Sequence, residues 1–128
     1  MLTIFTLGST HRRRRFTYSG SVSTGVKLHF TGAPYISPDF FKAMLIHFAG
    51  RTVAGGFNMT DPTPGGFGQW VEENSKRLNG TSLTPRHASF IAAILAHENQ
   101  ITSSLKGNAI YLQFAADSNI GTRTQQGA

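Results

Sequence analysis

Few side chains in this sequence have the type and spacing that catalysis requires. The chain contains five histidines and no cysteine, so it offers no thiolate nucleophile, disulfide or cysteine-rich zinc site. His29 and His47 share no metal-ligand spacing such as HxxxH, and His97 and Glu98 fall at the predicted end of a helix, where a histidine commonly interacts with the dipole. We therefore expect no metal ion and no cofactor.

His87 is the best single candidate for a general base or a ligand contact. Thr84 and Pro85 predict the N-cap and first residue of a helix, which places His87 in its first turn, where the dipole favours the neutral imidazole. The alternative, which we favour, is a hydrogen-bonded histidine at the edge of the core. An enzyme that uses His87 is therefore the third of our functional hypotheses.

A glycine-rich stretch, TPGGFGQW, precedes a second predicted helix. Gly65 and Gly66 lie directly before the helix start at Phe67, where backbone N–H groups can bind an anion. The Lys-Ser/Thr ending of a P-loop and the full dinucleotide fingerprint are absent. With Trp70 one turn inside the helix, this is where we first expect a ligand pocket; the alternative is a loop whose glycines let the chain turn into the helix.

The positive charge of the chain is concentrated near its start. Four consecutive arginines supply four of the six net positive charges: Arg12, Arg13, Arg14 and Arg15. Four phosphate contacts would support only weak, non-specific nucleic-acid binding, and the other cations, Arg86 among them, are dispersed along the sequence. The alternative is a solvated extension ahead of the folded part.

The pattern of apolar residues predicts a single α+β domain. A hairpin is expected over residues 16–30, with Val22 opposite Val26 and Tyr18 opposite Phe30. A core helix follows Ser37, a short strand begins near residue 51, and helices begin at Phe67 and Pro85. The last element is a hairpin that turns at Gly107-Asn108 and pairs Leu105 with Ile110.

From residue 38 onward this is also the element order of a winged helix. In that fold the helix over residues 85–98 would enter the major groove of DNA. It offers Arg86 and little else for base recognition, and the predicted wing adds only Lys106 and Asn108. A weak nucleic-acid-associated, winged-helix-like protein is therefore our second hypothesis.

One face of the same helix is a ridge of small residues: Ser89, Ala92, Ala93 and Ala96. Such a ridge lets another backbone approach closely, and a homodimer is the commonest assembly of a small protein. The alternative is packing inside the monomer, against residues 67–78 or the first helix. Our first hypothesis is a non-catalytic binding or interaction module that self-associates and that can take a small-molecule or protein partner.

We expect residues 1–15 to form a basic N-terminal extension, residues 16–114 the globular domain, and residues 115–128 a polar tail. The opening MLTIFTLG is too short for a membrane span, and its charges follow the apolar stretch instead of preceding it. No membrane partner and a cytoplasmic location are the corresponding expectations.

A compact, cysteine-free chain with the arginine-rich lead-in HRRRRF is similar in character to small proteins carried on bacterial integron gene cassettes. That group shares no fold, motif or catalytic residue, so the resemblance implies nothing for individual positions.

Overall fold

The computed structural model describes residues 1–8 and 13–116 and shows a single α+β domain, as predicted. A first antiparallel sheet has the order β1-β2-β3-β4: β1 (Leu2–Phe5), β2 (Arg15–Ser21), β3 (Gly25–Leu28) and β4 (Tyr35–Ile36). A second has the order β5-β7-β6: β5 (Thr52–Ala54), β6 (Ile101–Lys106) and β7 (Ala109–Phe114). The helices are α1 (Pro38–Phe48), α2 (Phe67–Asn79) and α3 (Pro85–His97).

Helix α1 begins as its sequence predicts. The Phe40 N–H donates to the Ser37 side chain over 3.1 Å, and Pro38 occupies the first helical position, where its missing N–H costs nothing. Its apolar stripe is buried in full: Phe40, Phe41, Met44, Leu45 and Phe48. The prediction of a core helix is confirmed.

The C-terminal hairpin also has the predicted register. Leu105 lies opposite Ile110 and Ile101 lies opposite Phe114, on either side of the Gly107-Asn108 turn. Strand β7 pairs on its other side with β5, which makes it the central strand of the second sheet.

The N-terminal hairpin differs from the prediction by a register shift of two residues. Tyr18 lies opposite Leu28, and Gly20 lies opposite Val26, so Val22 belongs to the turn. The Thr24 N–H closes this turn on the Ser21 carbonyl over 3.2 Å. A Cβ at Gly20 would lie 2.0 Å from the Gly25 carbonyl oxygen, so a glycine pair adjoining the turn selects this register.

The segment predicted as an N-terminal extension contains a strand. Strand β1 pairs with β2 from Leu2 opposite Tyr18 to Phe5 opposite Arg15, so the predicted domain boundary at residue 16 falls inside the sheet. Ile4 packs on the core opposite Phe16, which is why this short strand is held. Arg12 and residues 117–128 of the predicted tail lie outside the described residues.

Helix α3 is the central helix of the domain, packing against α2, β6 and β1. A carboxylate ties its C-terminal end to the first sheet: the Tyr18 hydroxyl donates to Glu98 Oε2 over 3.2 Å, and the Val22 N–H donates to Oε1 over 3.0 Å. Burial, and then the charge of Glu98, raise the pKa of Tyr18 to about 12, so this hydroxyl stays protonated and remains a donor at neutral pH. In the described part of the chain, none of the helices is long and apolar enough to cross a membrane.

Candidate functional site

His87 completes a capping box at the start of α3. Its backbone N–H donates to Thr84 Oγ1 over 3.2 Å, and its ring Nδ1 accepts from the Thr84 N–H over 3.1 Å. Because the cap occupies Nδ1, this nitrogen cannot at the same time take a proton from a substrate. The arrangement matches the hydrogen-bonded histidine that we favoured over a general base.

Replacing His87 with Gln should remove a pH dependence of stability while keeping the cap. Burial, and then the positive charge of Arg86, lower the pKa of His87 from its usual 6.5. The unfolded chain therefore binds this proton more tightly, and the free energy of unfolding falls as the pH drops through 6.5. Gln can complete the same box without titrating, so His87→Gln should lose less stability than the wild type between about pH 7 and about pH 5 in urea unfolding.

His87→Ala is the matched control. It removes the side-chain half of the capping box at every pH, so it should cost about 1 kcal/mol even at neutral pH, while showing the same reduced pH dependence as His87→Gln. Equal acid sensitivity of the wild type and His87→Gln would show that another group controls the pH dependence.

The predicted anion site at Gly65 and Gly66 has its backbone donors in use. The Gly65 N–H donates to Gln69 Oε1 over 2.8 Å, and the Gly66 N–H donates to the Thr63 carbonyl over 2.9 Å. One turn further, the Gly68 N–H donates to the Gly55 carbonyl over 2.8 Å. The glycines thus allow the loop to pack closely on the helix. This agrees with the alternative of a loop whose glycines let the chain turn into the helix.

Trp70 packs on α1, in contact with aromatic rings of that helix. Its ring stacks on Phe40 with centroids 5.6 Å apart, and on His47 with centroids 5.3 Å apart. Burial, and then Arg51, lower the pKa of His47, which keeps the stacked imidazole neutral at physiological pH. The indole therefore joins α2 to α1.

The small-residue ridge of α3 is largely internal. Ala92 and Ala93 are 0% and 2% exposed in the single chain, whereas Ser89 and Ala96 are half-buried. Since α3 packs on α2, Ala92 and Ala93 belong to the core of the monomer. This is the alternative in which the ridge packs inside the chain. It is not a free surface for a second copy.

Helix α3 is also poorly placed to enter the major groove of DNA, because its other side is covered. Phe90 packs on Phe16 with ring centroids 4.9 Å apart and on Phe30 at 5.3 Å, so the first sheet covers this side of the helix. A reading helix must project several polar side chains into the groove, and on α3 only Arg86 and His97 are exposed.

A cleft of about 270 Å³ lies between the end of β1, the N-terminal half of α3 and the tip of the β6–β7 hairpin. We call it the arginine cleft. Its apolar lining comes from four parts of the fold: Leu7, Phe57, Phe90, Leu105 and Ile110. A Cβ placed on Gly8 would lie 3.4 Å from Ile110 Cδ1, so the segment that follows β1 lies close to the hairpin. The fold thus brings together residues that are distant in sequence.

Two arginines from separate parts of the fold, Arg14 and Arg86, line this cleft. Arg14 is fixed at its backbone, since its N–H donates to Thr6 Oγ1 over 2.8 Å and its carbonyl accepts from the Thr6 N–H over 2.9 Å. Arg86 projects from the first turn of α3, where Ser89 Oγ donates to its carbonyl over 2.8 Å. No aspartate or glutamate of the described residues lines the cleft, so its charge is positive.

Four residues of the cleft were named from the sequence but were assigned to different sites. Arg14, Arg86 and Asn108 were considered for nucleic acid and Ser89 for a dimer interface, and the structure brings all four to one cleft. Their apolar partners were missed, because no pattern in the sequence shows that Leu7 and Phe57 meet the hairpin tip. His87 and Trp70 do not line it. Within residues 1–8 and 13–116, no three histidines or carboxylates come close enough to hold a metal ion.

Comparison of the chain with protein-family models, with curated proteins and with solved structures finds no match.

Proposed function

We propose that the protein is a non-catalytic binding module and that the arginine cleft is its binding site. The observation that carries the proposal is that Arg14 and Arg86, from separate parts of the fold, line one cleft together with five apolar side chains. Binding sites of this kind are concave, mostly apolar and equipped with a few polar groups that orient the ligand.

The polar groups of the cleft support binding better than catalysis. A hydrolytic site needs a base within hydrogen-bond reach of a nucleophile, and neither Arg14 nor Arg86 can act as a base, because guanidinium groups keep their protons. The Ser89 hydroxyl is engaged with the Arg86 carbonyl in its own helix, and His87 is engaged with Thr84. The cleft therefore offers a positive charge and a concave surface that a ligand could occupy.

A fragment screen followed by ¹H–¹⁵N NMR tests the proposal on the full chain. Bound fragments should shift the amide signals of residues around the cleft, such as Gly8, Ser89 and Gly107, and Arg86→Gln should weaken those shifts. Arg77→Gln removes the same charge from the exposed side of α2 and should leave them unchanged. Fragments that bind only elsewhere on the protein, or none that bind, would refute the cleft as the site.

A weak association with nucleic acid is the second candidate. Lys106 lies at the hairpin tip between two residues that line the arginine cleft, Leu105 and Gly107, and adds a cation next to the cleft, with its Nζ 5.3 Å from the centroid of the Tyr111 ring. Phosphate groups could contact this surface without base recognition, which agrees with the covered reading face of α3.

Fluorescence anisotropy with random-sequence duplex DNA over a range of salt concentrations tests this candidate. Four phosphate contacts give a slope of log K against log[salt] of at most roughly −3.6, and each substitution of Arg14 or Arg86 by Gln should reduce the magnitude by about 0.9. Substitution is preferable to deletion of residues 1–15, because that deletion removes strand β1. Absence of binding at low salt would eliminate the candidate.

Self-association remains part of the proposal, on a surface other than the α3 ridge. Strand β1 is an edge strand without charged residues, and Leu2 and Phe5 on it are 44% and 50% exposed. Such an edge is a template for pairing with a second strand. Sedimentation velocity at micromolar concentration should show a dimer that Leu2→Lys dissociates, whereas a monomeric wild-type protein would rule self-association out.

A further inference from the structure

We propose that the ligand of the arginine cleft is a small organic anion, with a carboxylate or phosphate group on an apolar body. This inference rests on the proposed binding function and specifies the chemistry of its ligand.

The charges of the cleft select an anionic group. Arg14 and Arg86 are both cationic at every physiological pH, and among the described residues no carboxylate lines the cleft to neutralise them. Guanidinium groups bind carboxylate and phosphate through paired N–H donors, and such charge-assisted hydrogen bonds are about twice as strong as neutral ones.

The positions of the two arginines are set by backbone contacts that do not depend on their side chains. Reciprocal hydrogen bonds with Thr6 hold the backbone of Arg14, and the capped first turn of α3 holds that of Arg86. Gln can therefore replace either residue with its backbone hydrogen bonds preserved. A loss of binding in such variants would report on charge and not on folding.

The apolar lining selects the body of the ligand. Leu105 is 48% exposed on the cleft side of the hairpin, and Phe57, Phe90 and Ile110 are half-buried, so apolar surface remains uncovered beside the cations. Covering it would release water and favour an anion with an aromatic or aliphatic body over an inorganic one. The cleft volume of about 270 Å³ limits this body to a small molecule.

Matched probes separate the contributions of charge and body. Benzoate and phenyl phosphate carry the two kinds of anion on the same ring, benzamide and phenol are their neutral counterparts, and acetate and inorganic phosphate lack the ring. We expect NMR titration of the full chain to give affinities for the aryl anions at least about tenfold above those for the neutral aryl compounds and for the simple anions. Whichever aryl anion binds more tightly identifies the head group.

Arg14→Gln and Arg86→Gln should each reduce the affinity for the aryl anion by about tenfold, and Arg77→Gln should not. If the neutral aryl compounds bind the cleft as tightly as the aryl anions, the inference about charge fails while the binding function stands. If acetate or inorganic phosphate binds as tightly as the aryl anions, the inference about the apolar body fails. If no probe shifts the cleft signals and the fragment screen also leaves them unchanged, the cleft itself is not a binding site.

Discussion

Gly68→Ala is expected to lower the free energy of unfolding by about 1 to 3 kcal/mol, although alanine is the better helix former. A Cβ at position 68 would lie 2.0 Å from the Gly56 carbonyl oxygen, which is backbone and cannot rotate away. Helix propensity alone would stabilise the variant by about 1 kcal/mol. Displacement of the loop would outweigh this gain, since overpacking costs about 1 to 3 kcal/mol and the hydrogen bond from the Gly68 N–H to the Gly55 carbonyl would be strained as well.

Urea unfolding of Gly68→Ala measures the sign of this effect, with Gly65→Ala as the control. Position 65 has no atom within 4 Å of a new Cβ but a φ of +76°, so alanine there should cost only about 1 kcal/mol of backbone strain. A Gly68→Ala variant as stable as the wild type, or more stable, would contradict the close packing of loop on helix and reopen the glycine-rich stretch as a ligand loop.

Phe48→Ala should be the most destabilising of the substitutions considered, with a loss of about 4 kcal/mol. Phe48 is 1% exposed, and its ring lies 4.9 Å from that of Phe114, 5.6 Å from that of Trp70 and 5.7 Å from that of Phe67. It therefore joins α1 to α2 and to the second sheet. Alanine would leave a cavity among rigid rings that cannot collapse to fill it.

Ile46→Ala is the matched control, because it truncates an apolar side chain of the same helix that is 54% exposed. Its effect should stay within about 0.5 kcal/mol. Thermal unfolding of the two variants should therefore separate them widely, and similar melting temperatures would show that the aromatic cluster does not connect these elements.

Local patterns were sufficient to predict the elements whose signals are contained within their own sequence. Ser37 and Pro38 define the start of α1, because capping needs only residues a few positions apart. The register of the β6–β7 hairpin followed from a two-residue turn and from matching faces. In both cases short-range geometry and burial favour the same answer.

Other features could not be read from local patterns, because a distant contact decides them. Strand β1 is held by Phe16 and its neighbours on β2, and a strand of four residues is too short to give a periodic signal of its own. The register of the first hairpin depends on the close approach of Gly20 and Gly25. The sequence prediction paired Val26 with Val22, two residues beyond its actual partner, Gly20. Ala92 and Ala93 formed a ridge by sequence, but only their neighbours show that the ridge is covered.

The sequence by itself determined an α+β domain, the capped helices and the absence of cysteine chemistry, since composition and short-range periodicity decide these. The arginine run was expected to lie outside the folded part, yet the tertiary structure brings Arg14 and Arg86 to the lining of one cleft. That meeting depends on how β1, α3 and the last hairpin pack, and packing is a sum over distant contacts that no single stretch of sequence contains.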